Sequence, residues 1–181
     1  MEFIQTHITF VVATLTLISQ IFFVALAILL FLEKKIREYV YGFVDKHVLT
    51  LLFVTTLAAL IGSLAYSNIV GFLPCELCWI QRIFIYPQSV LTFMAILKKD
   101  RNIVSYLLPL SILGALVALY HSLTQLGIGS SLLGCTSVGG ECARVYVLEY
   151  GYITIPMMAL TTFLYLIGIS LIYFKAKNVG K

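Results

Sequence analysis

Charged residues are scarce in this chain: they account for 11% of its 181 residues, whereas 61% are hydrophobic. Soluble domains average about 25% charged residues, so this composition cannot cover a surface that faces water. It excludes a soluble globular domain and indicates an integral membrane protein, whose length suits one compact bundle rather than two domains. The net charge of +4 does not point to nucleic acid, because the basic residues cluster in the breaks between apolar stretches.

The apolar stretches lack the strict alternation that membrane-spanning strands require. Five of them have about the 20 residues that a spanning helix needs. These are 8–32, 48–68, 79–97, 103–124 and 152–174. The sequence therefore predicts an all-α integral membrane protein with five spans.

The first apolar stretch lacks the basic residues that precede the core of a secretory signal peptide. It also runs well past the roughly 7–15 residues of such a core. Ala25 and Ala27 are followed by more Leu and Phe rather than by a polar segment. We therefore predict a retained transmembrane helix.

Basic residues are nearly absent from one side of the predicted bundle. Ten of the twelve Lys and Arg residues lie between spans one and two, between spans three and four, or after span five. They are Lys34, Lys35, Arg37, Lys46, Lys98, Lys99, Arg101, Lys175, Lys177 and Lys181. With five spans these places share one side, which the positive-inside rule makes cytoplasmic. The prediction is an outer N-terminus and a cytoplasmic C-terminus.

The predicted spans contain no cysteine, although cysteines used as ordinary apolar residues would lie there. Cys75 and Cys78 lie in a short outer loop, and Cys135 and Cys142 lie in a long one. The outer side is the oxidising compartment, where disulfides persist. A Cys-x-x-Cys pair can open and close a disulfide, with a chemistry that depends on its thiol pKa. The pattern favours a redox function.

Two other uses of the cysteines stay open at this stage. Structural disulfides suit Cys135 and Cys142, but a disulfide between Cys75 and Cys78 closes almost no loop and stabilises little. Four thiolates can also hold zinc, although zinc sites usually use two closely spaced pairs and the second pair here is wider. Either use would give a non-enzymatic membrane protein.

Polar side chains near the outer ends of spans three and four are candidates for the same site. We expect span three to begin at about Cys78 or Trp79, where the helix N-terminus stabilises a thiolate. Arg82 follows one turn after Cys78, and an arginine within a span suggests function, with snorkelling to the surface as the alternative. His121 and Gln125 share one face of span four. The sequence permits a polar pocket beside Cys78.

These residues resemble the DsbB/BdbC family of membrane thiol–quinone oxidoreductases, and its BdbC-like branch in particular. The principal motif is Pro74-Cys75-Glu76-Leu77-Cys78-Trp79-Ile80-Gln81-Arg82. Tyr120-His121 with Gln125, the second cysteine pair and Gly151-Tyr152-Ile153-Thr154-Ile155-Pro156 are also similar to the family. The family core has four spans, so the resemblance implies a four-helix transmembrane bundle plus one extra N-terminal transmembrane helix.

The resemblance also implies a division of the chain and a location. It divides the chain into an extra helix and cytoplasmic loop at 1–47, a redox core at 48–174 and a basic tail at 175–181. The implied location is the cytoplasmic membrane of a bacterium or archaeon, with the active cysteines on the outer side.

The mechanism implied by the resemblance is a relay between two disulfides. A reduced thioredoxin-fold oxidant, DsbA- or BdbD-like, attacks the Cys135–Cys142 disulfide at Cys135. Cys142 then attacks Cys75 and releases Cys78 as a thiolate, which passes electrons to a membrane quinone, ubiquinone or menaquinone. The resemblance assigns quinone binding to Arg82, His121 and Gln125.

Two rivals to this interpretation belong to different classes. A vitamin K epoxide reductase-like protein also couples outer cysteines to a quinone. In that family the active pair follows the loop pair, whereas Cys75 and Cys78 come first here. The other rival is the non-enzymatic membrane protein with structural or metal-binding cysteines.

Overall fold

The computed structural model describes residues 2–126, 142 and 144–179. Its helices are α1 (Glu2–Leu32), α2 (Lys34–Leu64), α3 (Glu76–Lys98), α4 (Val104–Gln125) and α5 (Ile155–Val179). A π-helical turn, Ala65–Ile69, extends α2, and a 3-10 turn, Arg101–Ile103, precedes α4. All five helices are long and apolar enough to cross a membrane. This confirms the predicted all-α class and the five spans.

Four of the helices form a closed ring. α2 packs against α3 and α5, and α4 packs against the same two helices. The centre of the ring is filled by apolar side chains with 1% exposure or less, among them Leu52, Leu107 and Phe163. α1 lies outside this ring and packs mainly against α2 and α5. The arrangement is the predicted four-helix bundle plus one extra helix.

Three helices begin earlier than the hydropathy of the sequence predicts, and α1 is the first of them, since it begins at Glu2 rather than at residue 8. α2 begins at Lys34 rather than near residue 48, and only Glu33 separates it from α1. The segment 34–47 is too charged to resemble a span, yet it contains good helix formers, and Lys34 pairs with Glu38 one turn on at 3.9 Å. α3 begins at Glu76 rather than at Cys78 or Trp79. Hydropathy locates the membrane, whereas the helices continue beyond it.

A buried amide ties together the two helices that carry the candidate site. Gln88 of α3 has no exposed surface. Its Oε1 accepts a hydrogen bond from Ser111 Oγ of α4 at 2.9 Å, and its Nε2 donates to the carbonyl oxygen of Phe84 at 2.9 Å. Both ends of the amide are thus satisfied, as burial requires. The contact fixes α3 against α4 below the cysteines.

α4 and α5 approach closely where a glycine faces an aromatic ring. A Cβ atom added at Gly114 would overlap the ring of Phe163, which is 1% exposed. The ring therefore occupies the place that any larger residue would need. Small residues at such contacts allow membrane helices to pack tightly.

We expect Gly114→Ala to destabilise the bundle by about 1–3 kcal/mol, because the added methyl overpacks the core. The measurement is the thermal unfolding midpoint of the purified protein in detergent. Gly42→Ala is the matched control, since a Cβ there meets no atom within 4 Å. An unchanged midpoint for Gly114→Ala would contradict the close contact.

Candidate active site

The two cysteines of the Cys-x-x-Cys motif lie at the first turn of α3. Cys75 caps the helix in an extended conformation, with φ −72° and ψ 174°, and its carbonyl oxygen accepts from the Trp79 N–H at 3.1 Å. Cys78 follows within the first turn. Both thiols are free, and their sulfur atoms lie 3.2 Å apart in hydrogen-bond contact. The structure thus describes the dithiol form of a pair placed to form a disulfide.

His121 of α4 faces Cys75 from the other side. Its side chain is 2% exposed, and its Nε2 lies 3.6 Å from Cys75 Sγ. Its Nδ1 lies 3.1 Å from the Nε2 of Gln81, which is also buried. Because an amide NH₂ group can only donate, Nδ1 accepts from Gln81 and the ring proton lies on Nε2, toward the sulfur. Gln81 therefore orients the histidine as a donor to Cys75.

These contacts stabilise the thiolate of Cys75. The hydrogen bond with Cys78 lowers the pKa of Cys75 most, burial opposes this, and the hydrogen bond with His121 lowers the pKa further. The net direction is well below the ordinary thiol value. The sequence alone favours Cys78 as the stabilised thiolate, whereas the structure gives these contacts to Cys75. The reason is that α3 begins at Glu76, which puts Cys75 at the helix cap, and that His121 approaches Cys75.

Arg82 links α3 to α2. Its Nε donates to Ser63 Oγ at 3.0 Å and its Nη2 donates to the Ser63 carbonyl oxygen at 3.2 Å. Its guanidinium carbon also lies 5.0 Å from the centroid of the Trp79 ring, a cation–π contact. Tyr86 donates to the same Ser63 hydroxyl at 3.1 Å. Arg82 is thus held in place by protein groups and lines the same cavity as Cys78.

Gln125 of α4 lies at the same end of the bundle as His121. Its Nε2 donates to the Arg144 carbonyl oxygen at 3.3 Å. Its Oε1 is buried and has no hydrogen-bond partner within the described part of the chain. A buried acceptor without a donor costs free energy unless a ligand supplies one. Gln125 therefore has one acceptor available to a ligand donor.

Only one cysteine of the second pair, Cys142, lies among the described residues. Cys142 is in a disulfide, and Cys135 lies outside the described residues. Cys142 is 4% exposed and belongs to the same buried cluster as Cys75 and Leu77. The fold therefore brings one sulfur of the long loop into the packing around the Cys-x-x-Cys motif.

A cavity of about 730 Å³ opens beside these groups and is lined by residues from all five helices. Its polar wall contains Cys75, Cys78, Gln81, Arg82, His121 and Gln125, which brings together every site residue that the sequence predicts for the spans and the short loop. The rest of the wall is mostly apolar. Such a cavity, apolar with a few convergent polar groups, is typical of a site for a small organic ligand.

Three of the polar groups could also hold a metal ion. The ligand atoms of Cys75, Cys78 and His121 all lie within 4.8 Å of one another. Structural zinc sites use four protein ligands, so these three would leave one position open. The group differs from the four-cysteine site considered from the sequence, because a histidine replaces the second pair.

Sequence reasoning missed Gln81 and the contribution of α1. Gln81 lies within the motif that carries the family resemblance, but its role depends on which residue of α4 it faces, and spacing within α3 does not give that. The cavity wall contributed by α1 includes Leu15 and Thr16. In the sequence, only the polar residues of α1 hint that this helix contacts the rest of the bundle.

Comparison with known proteins agrees with this geometry. The sequence model of the family described as "Disulfide bond formation protein DsbB" matches residues 45–173. The chain belongs to the DsbB family. That membership confirms the resemblance seen in the sequence, and it makes the protein an oxidoreductase with a role in disulfide bond formation.

Curated relatives carry the same kind of name. The chain is 40% identical over 121 residues to the "SPbeta prophage-derived disulfide bond formation protein B" of Bacillus subtilis (strain 168), covering 67% of this chain and 81% of the relative. It is 41% identical over 115 residues to "Disulfide bond formation protein C" of the same organism, covering 63% and 83%. It is 38% identical over 137 residues to the "Probable disulfide formation protein" of Oceanobacillus iheyensis, covering 74% and 92%. No solved structure matches the chain significantly.

Proposed function

We propose that this protein is a membrane thiol oxidase that reoxidises a thioredoxin-fold disulfide donor outside the cytoplasm and passes the electrons to a membrane quinone. The observation that carries the proposal is the position of Cys75. Its buried sulfur lies against Cys78 and His121 at the polar end of an otherwise apolar cavity. A lipid-soluble oxidant can reach such a place from the bilayer. The DsbB family membership favours this proposal over a vitamin K epoxide reductase-like activity.

The first half of the reaction is thiol–disulfide exchange. The reduced donor, DsbA- or BdbD-like, attacks the Cys135–Cys142 disulfide at Cys135, and the donor leaves with its own disulfide formed. Cys135 and Cys142 are then both reduced to thiols. The Cys142 thiolate attacks the Cys75–Cys78 disulfide at Cys75, which releases Cys78 as a thiolate. Cys135 then attacks the Cys142–Cys75 bond at Cys142, which forms the Cys135–Cys142 disulfide again and leaves Cys75 and Cys78 as a dithiol. The burial of Cys142 in the cluster around Cys75 supports this order of attack.

The second half of the reaction transfers two electrons and two protons out of the Cys75–Cys78 dithiol, as its disulfide forms. A quinone, ubiquinone or menaquinone, would accept both and become a quinol. The residues present fit such a ligand. Arg82 and the Nε2–H of His121 offer donors, and the Oε1 of Gln125, unpaired within the described residues, offers an acceptor for a quinol hydroxyl. Apolar walls exclude water from the thiolate.

The protein would work in the cytoplasmic membrane of a bacterium or archaeon, with both cysteine pairs on the outer side. The clustering of basic residues at the opposite ends of the spans supports that orientation through the positive-inside rule. The donor would then be met in the oxidising compartment, and the quinone would be drawn from the membrane.

Anaerobic thiol counting tests the proposal. The purified protein is fully reduced, freed of reductant and mixed with excess quinone. We expect its four thiols to be titratable before the quinone is added and absent afterwards. A donor protein in reduced form should then be oxidised catalytically when quinone is in excess. Four thiols that persist with quinone present would refute the oxidase function and leave structural or metal-binding cysteines.

We expect Arg82→Ala to raise the quinone KM by about 10- to 100-fold, which is the loss of one hydrogen bond from a charged donor. The measurement is steady-state quinone reduction with a fixed concentration of reduced donor. Ser63→Ala is the paired variant, since it removes the hydroxyl that accepts from Arg82 but keeps the guanidinium. It should raise the KM less. An unchanged KM in Arg82→Ala would remove Arg82 from the quinone site.

A further inference from the structure

α1 is attached to the redox core by specific polar contacts. The amide of Gln20 bonds at both ends: its Nε2 donates to Thr161 Oγ1 at 2.8 Å, and its Oε1 accepts from the Tyr152 hydroxyl at 2.7 Å. Nearer the N-terminus, the hydroxyls of Thr14 and Tyr150 lie 2.8 Å apart. Polar pairs of this kind hold membrane helices together, because an unpaired amide in hydrocarbon is costly. α1 is therefore docked on the bundle.

A second group of contacts lies one turn deeper. The Tyr165 hydroxyl donates to Ser19 Oγ at 2.8 Å, and the ring centroids of Phe23 and Tyr165 are 4.7 Å apart. Gly168 accommodates the Phe23 ring, since a Cβ there would lie 3.0 Å from its Cζ. Later residues of α1 contact later residues of α5, so the two helices run parallel. One long face of α1 follows α5 into the bundle.

The docked face of α1 also forms part of the cavity wall, through Val12, Leu15, Thr16 and Ser19. The hydroxyls of Thr16 and Ser19 donate to carbonyl oxygens of their own helix, those of Val12 and Thr16, each at 2.8 Å. Their donors are thus already used, and the wall presents mainly methyl and methylene groups. Such a surface suits a hydrocarbon ligand better than a polar headgroup.

The deeper end of this wall, at Ser19, lies away from the sulfur atoms. Tyr66 belongs to the π-helical turn that leads toward Cys75, and its hydroxyl lies 3.8 Å from Met158 Sδ of α5. Tyr165, which binds Ser19, is seven residues further along α5, or about 10 Å deeper in the bundle. The cavity thus runs from a polar end at Cys75 and His121 along the α1 wall to a deeper end at Ser19.

We propose that α1 is the wall on which the isoprenoid tail of the quinone lies, and that Leu15 and Thr16 set the affinity for long-tailed quinones. The identity of the ligand rests on the proposed function. The wall itself belongs to this chain rather than to the family core, because the family match begins at residue 45 and α1 precedes it.

Trp79 provides a binding measurement that does not depend on turnover. It is the single tryptophan of the chain, and its ring stacks on Arg82, which lines the cavity. Quinones quench tryptophan fluorescence at short range. Affinities are measured for benzoquinone and naphthoquinone rings, each with and without an isoprenoid tail. The two variants are Thr16→Phe, whose ring would project into the cavity, and Leu15→Ala, which removes apolar side-chain atoms from the cavity wall without adding bulk.

We expect Thr16→Phe to weaken binding of the tailed quinones about tenfold, because the added ring occupies the space of the tail. Leu15→Ala should weaken it a few-fold, because it removes apolar surface that the tail can cover. Tail-free rings should bind either variant within about twofold of the wild-type affinity, a difference of about 0.4 kcal/mol. Ile18→Phe and Ile18→Ala are the matched controls, because Ile18 belongs to the same helix but does not line the cavity. They should leave all affinities unchanged.

The outcomes separate the wall from the proposed function. If both Thr16→Phe and Leu15→Ala bind tailed quinones with unchanged affinity, the proposal that α1 binds the tail is refuted. It is also refuted if the variants weaken the binding of tail-free rings as much as that of tailed quinones. If the wild-type protein binds tailed quinone as expected but its dithiols are never oxidised, the oxidase function fails and the wall stands. If neither tailed nor tail-free quinones bind the wild-type protein, both the oxidase function and the tail-binding role of α1 are refuted.

Discussion

Cys78→Ser is expected to abolish electron transfer to quinone. Cys75 would remain, but a single thiol cannot supply two electrons by forming a disulfide, and the serine hydroxyl cannot replace the sulfur that lies 3.2 Å away. The loss should be complete, down to the rate at which quinone reacts directly with the donor. The measurement is quinone reduction by excess reduced donor under anaerobic conditions.

The same variant should reveal the connection between the two pairs. With no second thiol to compete for it, Cys75 can attack the neighbouring disulfide and form a bond with Cys142, which lies in the same buried cluster. We expect this mixed disulfide in a non-reducing peptide map. The Cys75→Ser variant is the control, because it should lose activity equally but form no such bond. Sustained quinone reduction by Cys78→Ser would contradict the whole relay.

The second large effect is expected from His121→Phe, which keeps a ring of similar size in the buried position. The substitution takes away a hydrogen bond that lowers the pKa of Cys75. In the native protein the lowered pKa keeps Cys75 as a thiolate when the pH falls below the ordinary thiol range. In the variant the pKa rises, so the thiolate fraction falls at neutral pH and returns only in alkaline solution.

We therefore expect the rate at which a small membrane-soluble maleimide, entering by way of the cavity, alkylates Cys75 in the reduced protein to fall about 10- to 30-fold at pH 7, as for a thiol returned toward its free value. The pH profile should move upward, with little difference from wild type well above about pH 9. The control is His47→Phe, a histidine of α2 in contact with Phe43 and outside the main cavity. A profile that does not move would show that His121 leaves the Cys75 thiol unaffected.

Much of the architecture could be predicted because a bilayer imposes simple rules. Apolar length gives the number of spans, since every backbone polar group in hydrocarbon must be satisfied within a helix. The start of α2 at Lys34 was not predictable in the same way, because charged residues leave the membrane without ending the helix. Helix ends are set by local capping, which hydropathy does not measure.

Most of the residues that line the polar end of the cavity could be identified from the sequence, but the contacts between them could not. Arg82, His121 and Gln125 were identified from spacing and from the cost of polar groups in a span, and all three line the cavity. Spacing cannot reveal that His121 meets Cys75 and is oriented by Gln81, because those contacts depend on how α3 and α4 rotate about their axes. Likewise, the use of Gln20 to dock α1 requires the position of α5.

The burial of Cys75 and Cys142, at 6% and 4% exposure, has a consequence for the fidelity of electron flow. Small soluble thiols meet little open surface at either of these two sulfur atoms, and attack on a disulfide needs an open approach to the sulfur that is attacked. In the relay that we propose, electrons would enter by protein recognition at the long loop and leave by way of the cavity. The packing around Cys75 and Cys142 would then separate these two points from small thiols in the medium, so that oxidation would be directed to a chosen donor.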